Sequence, residues 1–311
     1  MGGEPIPLLE AFQRGWRTMG QGAESGDGNP ILRTNLENGL ALDDGVMPGV
    51  FEDEDFPLAL SKPHRVVAIA GGKGGVGKST LTVNLAVAVA GMGKTVGIMD
   101  ADIHGCSIPR MLGLVGQPAV VGETIIPLRA HGVQAISMGS FLADDDPVAW
   151  GAPRLTKTVR QFLTNVAWED LDYLFVDLPP GTGDVVLTLV RAMPEAQFVL
   201  VTTPQQAAWR VAGRVAGFAA KNGVAILGVV ENMAYFICPS CGEKSEIFGR
   251  GGAVYLARQL EVPFLGSVPM AMPVREGGDR GKPVVLENSQ LGKVFREIAL
   301  KIMAGEPDFA G

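Results

Sequence analysis

The feature that most constrains this chain is a glycine-rich stretch at residues 71–80, which reads GGKGGVGKST. Its residues Gly72, Gly77, Lys78 and Ser79 have the spacing G-x-x-x-x-G-K-[ST] of a phosphate-binding loop. An apolar run at 66–70 precedes it and predicts a buried strand, and residues 79–90 follow with helical apolar spacing. This strand–loop–helix order predicts a site for anionic phosphate groups, whereas an ordinary glycine-rich turn would not need that context.

The residue types in the loop predict how it would hold a nucleoside triphosphate. Lys78 is expected to reach the β- and γ-phosphates, and the Ser79 hydroxyl is expected to bind Mg²⁺. The residues expected to surround the phosphates are Gly72, Gly74, Gly75, Val76, Gly77, Lys78, Ser79 and Thr80.

Strand-like and helix-like segments alternate along the rest of the chain. The apolar runs that predict strands are 66–70, 95–100, 133–138, 173–177, 198–202, 226–230 and 264–268. The segments that predict helices are 79–90, 155–166, 185–192, 207–221, 253–260 and 293–303. This alternation predicts an α/β protein with a three-layer P-loop NTPase fold, in which helices cover both faces of a mostly parallel sheet.

Three aspartates follow predicted strands, where ligands of parallel sheets collect. Asp100 and Asp102 follow the second strand, and Asp177 ends the apolar run 173–177. Phosphoryl transfer needs carboxylates near Mg²⁺ and near the attacking water. Asp177 has the layout of a residue that holds Mg²⁺ directly or through water. For Asp100 and Asp102, capping of the strand end is the alternative.

A cysteine pair, Cys238 and Cys241, lies in the sequence CPSCG. Its tight turn is expected to aim two thiolates at one point. Zinc and iron–sulfur sites usually have four ligands, so a symmetric dimer would complete a four-cysteine site on its axis. An iron–sulfur cluster, a structural zinc ion and a redox dithiol all remain open. The third cysteine, Cys106, is interpreted as a small packed residue.

The charge of the chain is unevenly distributed. Residues 1–60 hold 11 acidic and 3 basic side chains, whereas the remainder holds 22 acidic and 23 basic ones. We therefore predict an acidic, mostly disordered extension at 1–60, with a short helix at 8–16 as the alternative for part of it. Residues 61–311 are predicted to form the P-loop ATPase domain with its CxxC metal-binding loop.

The composition also argues against several classes of partner. There is no block of Lys and Arg typical of nucleic-acid binding and no apolar run near the ~18 residues that span a membrane. Three cysteines in 311 residues do not make a disulfide framework. We therefore expect a cytoplasmic protein without nucleic-acid or membrane partners.

Several segments resemble one family. Lys73 makes the loop KGGVGKS, which resembles the deviant Walker A loop of the group that includes MinD, ParA, the nitrogenase iron protein and the Mrp/ApbC carriers. The segments DADIHGCSIPRML, LPPGTGD, VTTPQQ and ENMAYFICPSCG resemble the Mrp/ApbC branch, the iron–sulfur cluster carrier ATPases. The similarity extends from about residue 62 to about residue 303.

The resemblance implies a slow ATPase that acts as a homodimer, with one ATP site per chain. It implies that a 4Fe–4S cluster is bridged by Cys238 and Cys241 of both chains and is delivered to apo iron–sulfur proteins, with cluster assembly factors as further partners.

The resemblance also implies roles for residues around the nucleotide. Lys73 would cross the dimer interface to the partner's nucleotide, and Asp102 would orient the attacking water. Asp100 would lie on the metal side, while Asn232 and Pro269 would bind the adenine base.

The chain departs from the family pattern at several places, and residues 1–60 also lack the four-cysteine cluster of the eukaryotic relatives. Cys106 stands where proline is usual, residues 150–153 read WGAP rather than WRGP, and residues 1–60 do not resemble the small N-terminal domain of many bacterial members. The alternative function is a MinD/ParA-like positioning switch with structural zinc at the CxxC. An apolar helix face at 294–302 fits that alternative, but the chain end GEPDFAG is not a basic membrane anchor.

Overall fold

The computed structural model describes residues 63–102, 105–141 and 152–305, with side chains of the last range described from residue 156. The predicted extension 1–60, its candidate helix at 8–16 and the domain boundary near 61 lie outside these residues and stay predictions.

The described residues form eleven strands and eight α-helices. The strands are β1 (Arg65–Ala70), β2 (Val96–Asp100), β3 (Val120–Val121), β4 (Thr124–Ile125), β5 (Leu128–Ala130), β6 (Val133–Ser137), β7 (Tyr173–Asp177), β8 (Gln197–Thr202), β9 (Ile226–Ile237), β10 (Lys244–Ser245) and β11 (Phe264–Met270). The helices are α1 (Lys78–Gly91), α2 (Ile108–Leu112), α3 (Ala152–Thr164), α4 (Asp184–Ala192), α5 (Gln206–Lys221), α6 (Gly252–Leu260), α7 (Met272–Asp279) and α8 (Gln290–Ala304). Short 3₁₀ turns lie at Met138–Ser140 and Val284–Leu286.

The central sheet has the strand order β10-β9-β8-β1-β7-β2-β6-β5, and β11 pairs with β9. Its pairs are parallel except for β5 with β6 and β10 with β9. Parallel pairing places the carboxyl ends of β1, β2, β7, β8 and β9 along one edge. The loops that carry the predicted site residues therefore meet at that edge.

Both faces of the sheet are covered, which confirms the predicted three-layer fold. Alternate strand residues such as Ile69, Phe175 and Val199 join one core cluster with side chains of α1, α2 and α8. Their neighbours, including Ala68 and Phe198, point to the other face and are also buried, and α5 packs against β8 there. Helix α1 is buried along most of its length because α8 packs against it as well.

Strand β9 is longer than the sequence predicts. The apolar run ends at residue 230, but the strand continues through Glu231 and Asn232 to Ile237. Pairing with β11 and β10 stabilises this continuation, although polar residues interrupt its apolar pattern. Helix α7 is also absent from the prediction, because MPVREGGD contains a proline and two glycines that disfavour helix.

No helix within the described ranges combines the length and apolar character that a membrane crossing requires.

Candidate functional site

The glycine-rich stretch joins β1 to α1 and places Gly72 and Gly77 where other residues do not fit. Gly77 caps α1 with φ 92° and ψ 29°, in the left-handed region. A Cβ atom on Gly77 would lie 2.0 Å from Asn232 Nδ2, and one on Gly72 would lie 2.5 Å from the Val211 carbonyl carbon. The loop therefore passes close to both β9 and α5, and at these positions its path depends on glycine.

Lys78 is 5% exposed and begins α1, at the helix end where the backbone N–H groups have no partner within the helix. The ammonium group, the free N–H groups and the positive end of the helix dipole together favour an anion at this point. This placement is what the sequence predicts for a residue that binds phosphate groups.

Asp100 and Asp177 lie side by side at the ends of β2 and β7, as a register pair, and both are fully buried. The Thr82 hydroxyl donates a hydrogen bond to Asp177 Oδ1 at 3.1 Å. Burial raises the pKa of Asp177 to about 6, while the nearby Ser79 hydroxyl and the charge of Lys78 act in the opposite direction. Burial and the charge of Asp177 also raise the pKa of Asp100.

The second carboxylate oxygen of Asp177, Oδ2, is buried and has no hydrogen-bond partner within the described residues. A buried carboxylate oxygen without a partner is costly unless a cation or a donor binds it. Carboxylate and hydroxyl oxygens are ligands that suit Mg²⁺. Asp177 together with the Ser79 hydroxyl therefore fits Mg²⁺, as the sequence predicts for these two residues.

Asp100 is already engaged by the protein. Its Oδ2 accepts a hydrogen bond from Ser137 Oγ at 2.8 Å, and its Oδ1 accepts one from the Asp102 backbone N–H at 3.1 Å. Asp100 thereby fixes the start of the segment that carries Asp102. Its assignment as a metal-side residue stays a prediction.

Sequence reasoning misses Ser137 and Thr82. Ser137 contacts Asp100 across 37 residues and Thr82 contacts Asp177 across 95 residues. Neither residue has a motif around it. The only local signal is that Thr82 lies one helical turn after Lys78, whose carbonyl oxygen also accepts from the Thr82 hydroxyl.

A cavity of about 360 Å³ opens beside the loop, next to Gly77 and Thr80. It is lined by Asn232 and Pro269, which are the two predicted base-binding residues. Asn232 Nδ2 donates a hydrogen bond to the Val76 carbonyl oxygen at 2.9 Å, so β9 is joined directly to the loop. Side chains from α2 and α7 complete the wall, and sequence reasoning misses them because neither helix is predicted.

Lys73 lies in the same loop and is half-buried. Within the described part of the chain, no hydrogen bond or ion pair engages its ammonium group. The predicted role of Lys73 across a dimer interface stays a prediction.

The cysteine knuckle, residues 238–242, lies at the turn between β9 and β10. The Gly242 N–H donates to the Cys238 carbonyl oxygen at 2.9 Å, and the Cys238 N–H donates to the Glu243 carbonyl oxygen at 2.9 Å. Gly242 has φ 74°, which closes the turn. Hydrogen bonds from the backbone N–H groups of Cys241 and Ser240 lower the pKa of the Cys238 thiol, which favours the thiolate that binds metals.

The knuckle supplies two thiols and no more. In the described ranges, no group of three or more His, Cys, Asp or Glu side chains is arranged to hold a metal ion. Cys106 differs from the knuckle cysteines, because burial and the charge of Asp100 raise the pKa of its thiol to about 12. This environment agrees with the interpretation of Cys106 as a packed residue.

Comparison with known proteins connects this geometry to one family. A family model described as ParA, NUBPL iron-transfer P-loop NTPase, matches residues 62–303. The iron-sulfur cluster carrier protein of Bacillus subtilis is 42% identical over 247 residues, which cover 79% of this chain and 70% of that protein. The protein of the same name from Synechocystis is 46% identical over 285 residues, which cover 85% of this chain and 80% of that protein.

Solved structures show the same fold. A nucleotide-binding protein from Archaeoglobus fulgidus, in complex with ADP, has a TM-score of 0.65 and 39% identity, covering 75% of this chain and 92% of that one. The cell division ATPase MinD from Pyrococcus furiosus has a TM-score of 0.59 at 24% identity, covering 78% of this chain and 99% of that one. The family match, the relatives and the loop geometry agree, and the chain belongs to the ParA family of P-loop NTPases, in the branch described as iron-transfer NTPases.

Proposed function

We propose that this chain binds and slowly hydrolyses ATP and that two copies carry a 4Fe–4S cluster held by Cys238 and Cys241 of each copy. The observation that carries this proposal is the knuckle. It exposes Cys241, lowers the pKa of Cys238 and has no third protein ligand among the described residues. Two such knuckles brought together on a two-fold axis would supply the four thiolates that a cluster needs.

The nucleotide site supports ATP as the substrate. Lys78 and the N-terminus of α1 would hold the β- and γ-phosphates, and the cavity beside Asn232 and Pro269 has room for the base. The Asn232 amide donates to the Val76 carbonyl oxygen, which leaves its side-chain oxygen as the acceptor for an amino group such as that of adenine.

Asp177 and Ser79 are the residues that would hold Mg²⁺, which neutralises developing phosphate charge when bound. Asp102 would orient the attacking water. Asp100 holds the Asp102 backbone, and Ser137 holds Asp100, so the position of Asp102 depends on these two hydrogen bonds. The half-buried Lys73 would add positive charge at the partner chain's nucleotide.

The partners we propose are a second copy of the chain, the apo iron–sulfur proteins that receive the cluster and the assembly factors that supply it. Relatives that are named iron-sulfur cluster carrier proteins support this part of the proposal. A cytoplasmic location is likewise proposed.

Anaerobic reconstitution with iron and sulfide tests the proposal. We expect brown protein with visible charge-transfer absorption and about one 4Fe–4S cluster per two chains. Cys238→Ser should abolish cluster binding, because one substitution removes two of four ligands in the dimer. ATP binding should survive, because its ligands come from separate loops.

Cys106→Ala is the matched control, since it removes a half-buried thiol outside the knuckle and should keep the cluster. One cluster per chain, or none in the wild type, would contradict the proposal. Zinc at one ion per two chains would instead support the positioning switch with a structural metal.

A further inference from the structure

Strand β9 connects the two candidate sites. Asn232 of β9 lies against the phosphate-binding loop, and Cys238, the first thiol of the knuckle, comes six residues later, directly after the strand ends at Ile237. Six residues of extended chain span at most about 20 Å. The two sites are therefore connected by one short, hydrogen-bonded segment.

A bulge interrupts β9 between these two points. Val268 of β11 pairs with Asn232, whereas Met270 pairs with Phe236, so Pro269 alone faces residues 233–235 of β9. Pro269 has no N–H to donate, which explains why regular pairing fails there. Such bulges bend a strand and redirect its side chains.

Met233 begins the bulge in an unusual conformation. Its φ is 54°, in the left-handed region that non-glycine residues rarely adopt. Asn and Asp tolerate this region because their side chains form local hydrogen bonds, which the methionine side chain cannot donate. Backbone in this region persists only where surrounding contacts hold it, and it often marks a segment with two accessible arrangements.

The bulge is also a wall of the base cavity. Met233, Pro269 and Met270 line the cavity beside Asn232. A base that enters would contact the flexible thioether of Met233, which packs well against aromatic rings. The same residues therefore touch the nucleotide and set the path of β9.

Beyond the bulge, the strand is held firmly. Phe236 pairs with Met270 on one side and with Ser245 of β10 on the other, and Ile237 pairs with Lys244. A shift of the bulge would therefore move the β9–β10 turn as a unit, with Cys238 and Cys241 on it.

We propose that Met233 is a positioning residue through which the nucleotide base in the cavity sets the geometry and accessibility of the Cys238 and Cys241 thiols within one chain. This inference rests on the proposed function, since it requires that the cavity binds a nucleotide base. It adds a route from the ATP site to the cluster ligands that does not pass through the partner chain.

Alkylation of the knuckle tests the route. The reduced, cluster-free full chain is treated with iodoacetamide at fixed pH, with and without a saturating non-hydrolysable ATP analogue and Mg²⁺, and the rates at Cys238 and Cys241 are resolved by mass spectrometry. For the wild type we expect the analogue to change the rate about fivefold or more. For Met233→Gly, the ratio of the alkylation rate with the analogue to the rate without it should be about one. Glycine adopts φ 54° without strain and makes no side-chain contact with the base.

Two further variants separate coupling from binding. Met233→Leu keeps the bulk of the side chain and should retain most of the effect. Met111→Ala opens the same cavity from α2, so it leaves the sequence of β9 unchanged. It should weaken analogue binding but, once saturated, should keep the wild-type ratio of alkylation rates.

Analogue binding is measured separately by calorimetry. It distinguishes a failure of the Met233 route from a failure of the proposed nucleotide-binding function. Wild-type protein that binds the analogue and loads a cluster, yet shows no change in alkylation, would overturn this inference alone. A saturated Met233→Gly protein with the wild-type ratio would also overturn it. Failure of the wild type to bind the analogue would count against the proposed function as well.

Discussion

At the scale of single residues, the site is built from groups that burial disfavours. Asp100 and Asp177 are fully buried next to each other, and Asp177 Oδ2 has no partner among the described residues. The hydrogen bonds from Thr82 and Ser137 compensate only part of the lost hydration. We therefore expect this arrangement to lower the stability of the nucleotide-free protein and to favour the binding of a cation and a phosphate group.

The substitution Asp177→Asn tests how much stability the buried carboxylate costs. The pKa of Asp177 is raised from 3.8 to about 6, so the folded state holds the proton more tightly than the unfolded chain. Stability of the nucleotide-free protein should therefore fall as pH rises from about 4 to about 6. Above that range, Asp177→Asn should be more stable than the wild type by about 1–3 kcal/mol, and it should lose Mg²⁺-dependent ATP hydrolysis.

Thermal unfolding at pH 5 and pH 7.5 measures the effect, which should be smaller at pH 5. Asp170→Asn is the control, because the Asp170 side chain is 80% exposed and its replacement should change stability by less than about 0.5 kcal/mol. A less stable Asp177→Asn protein at pH 7.5 would refute the idea that burial of the carboxylate is costly.

At the scale of elements, the site depends on how closely the loop before α1 approaches β9. Gly77 caps α1 in the left-handed region, and Asn232 of β9 fills the space beside it. The hydrogen bond from Asn232 to Val76 needs that approach. The start of α1 and the middle of β9 therefore form one structural unit, although 156 residues separate them.

Gly77→Ala should disrupt this unit. An alanine Cβ would meet Asn232 Nδ2 at 2.0 Å and would hold φ 92°, which alanine adopts at a cost of about 1–3 kcal/mol. We expect lower stability of at least that size and loss of nucleotide binding. Chemical denaturation and a nucleotide-binding assay measure the two effects.

Gly74→Ala is the matched stability control, because a Cβ at Gly74 meets nothing within 4 Å. Its free energy of unfolding should stay close to that of the wild type. Equal destabilisation by the two substitutions would mean that the contact with β9 is not what requires glycine at position 77.

At the scale of the whole molecule, one chain presents two incomplete groups of functional residues. Lys73 has no partner for its charge among the described residues, and the knuckle has two thiols without further ligands. A second copy related by two-fold symmetry would complete both. The proposed dimer thus accounts for both features with one assembly.

Mixing two inactive variants tests this assembly. Lys73→Ala and Lys78→Ala should each turn over ATP slowly or not at all. In Lys73→Ala each site lacks the lysine that the partner chain would supply, and in Lys78→Ala each site lacks its own lysine. In a mixed dimer, the chain with intact Lys78 receives Lys73 from its partner, so one of the two ATP sites of the dimer is complete. Equimolar mixing with free exchange should restore about a quarter of wild-type turnover, since about half of the dimers are mixed.

Steady-state ATPase assays across mixing ratios measure the recovery, and each variant alone sets the baseline. Unchanged turnover by Lys73→Ala alone would remove the role of this lysine across the interface. Baseline turnover at every mixing ratio would do so as well, provided that light scattering shows dimers.

The sequence by itself determined the fold and the positions of the nucleotide loop and the knuckle. Apart from Arg65 at the start of β1 and Asp177 at the end of β7, these two strands are apolar throughout, because both faces of a parallel sheet are buried, and that pattern is visible without coordinates. The loop and the knuckle are visible because their glycines, lysines and cysteines stand at fixed short spacings. Motifs whose residues lie close together in the sequence can be identified without a structure.

Only the tertiary structure decided which distant residues support the site. The extension of β9 depends on pairing with β11 and β10, whose energy outweighs the polar residues in its sequence. Helix α7 forms despite Pro273, Gly277 and Gly278, and it helps to line the base cavity. Thr82 and Ser137 contact aspartates that lie far away in the chain, and the role proposed for Met233 depends on a bulge. These features follow from three-dimensional packing and not from any local pattern.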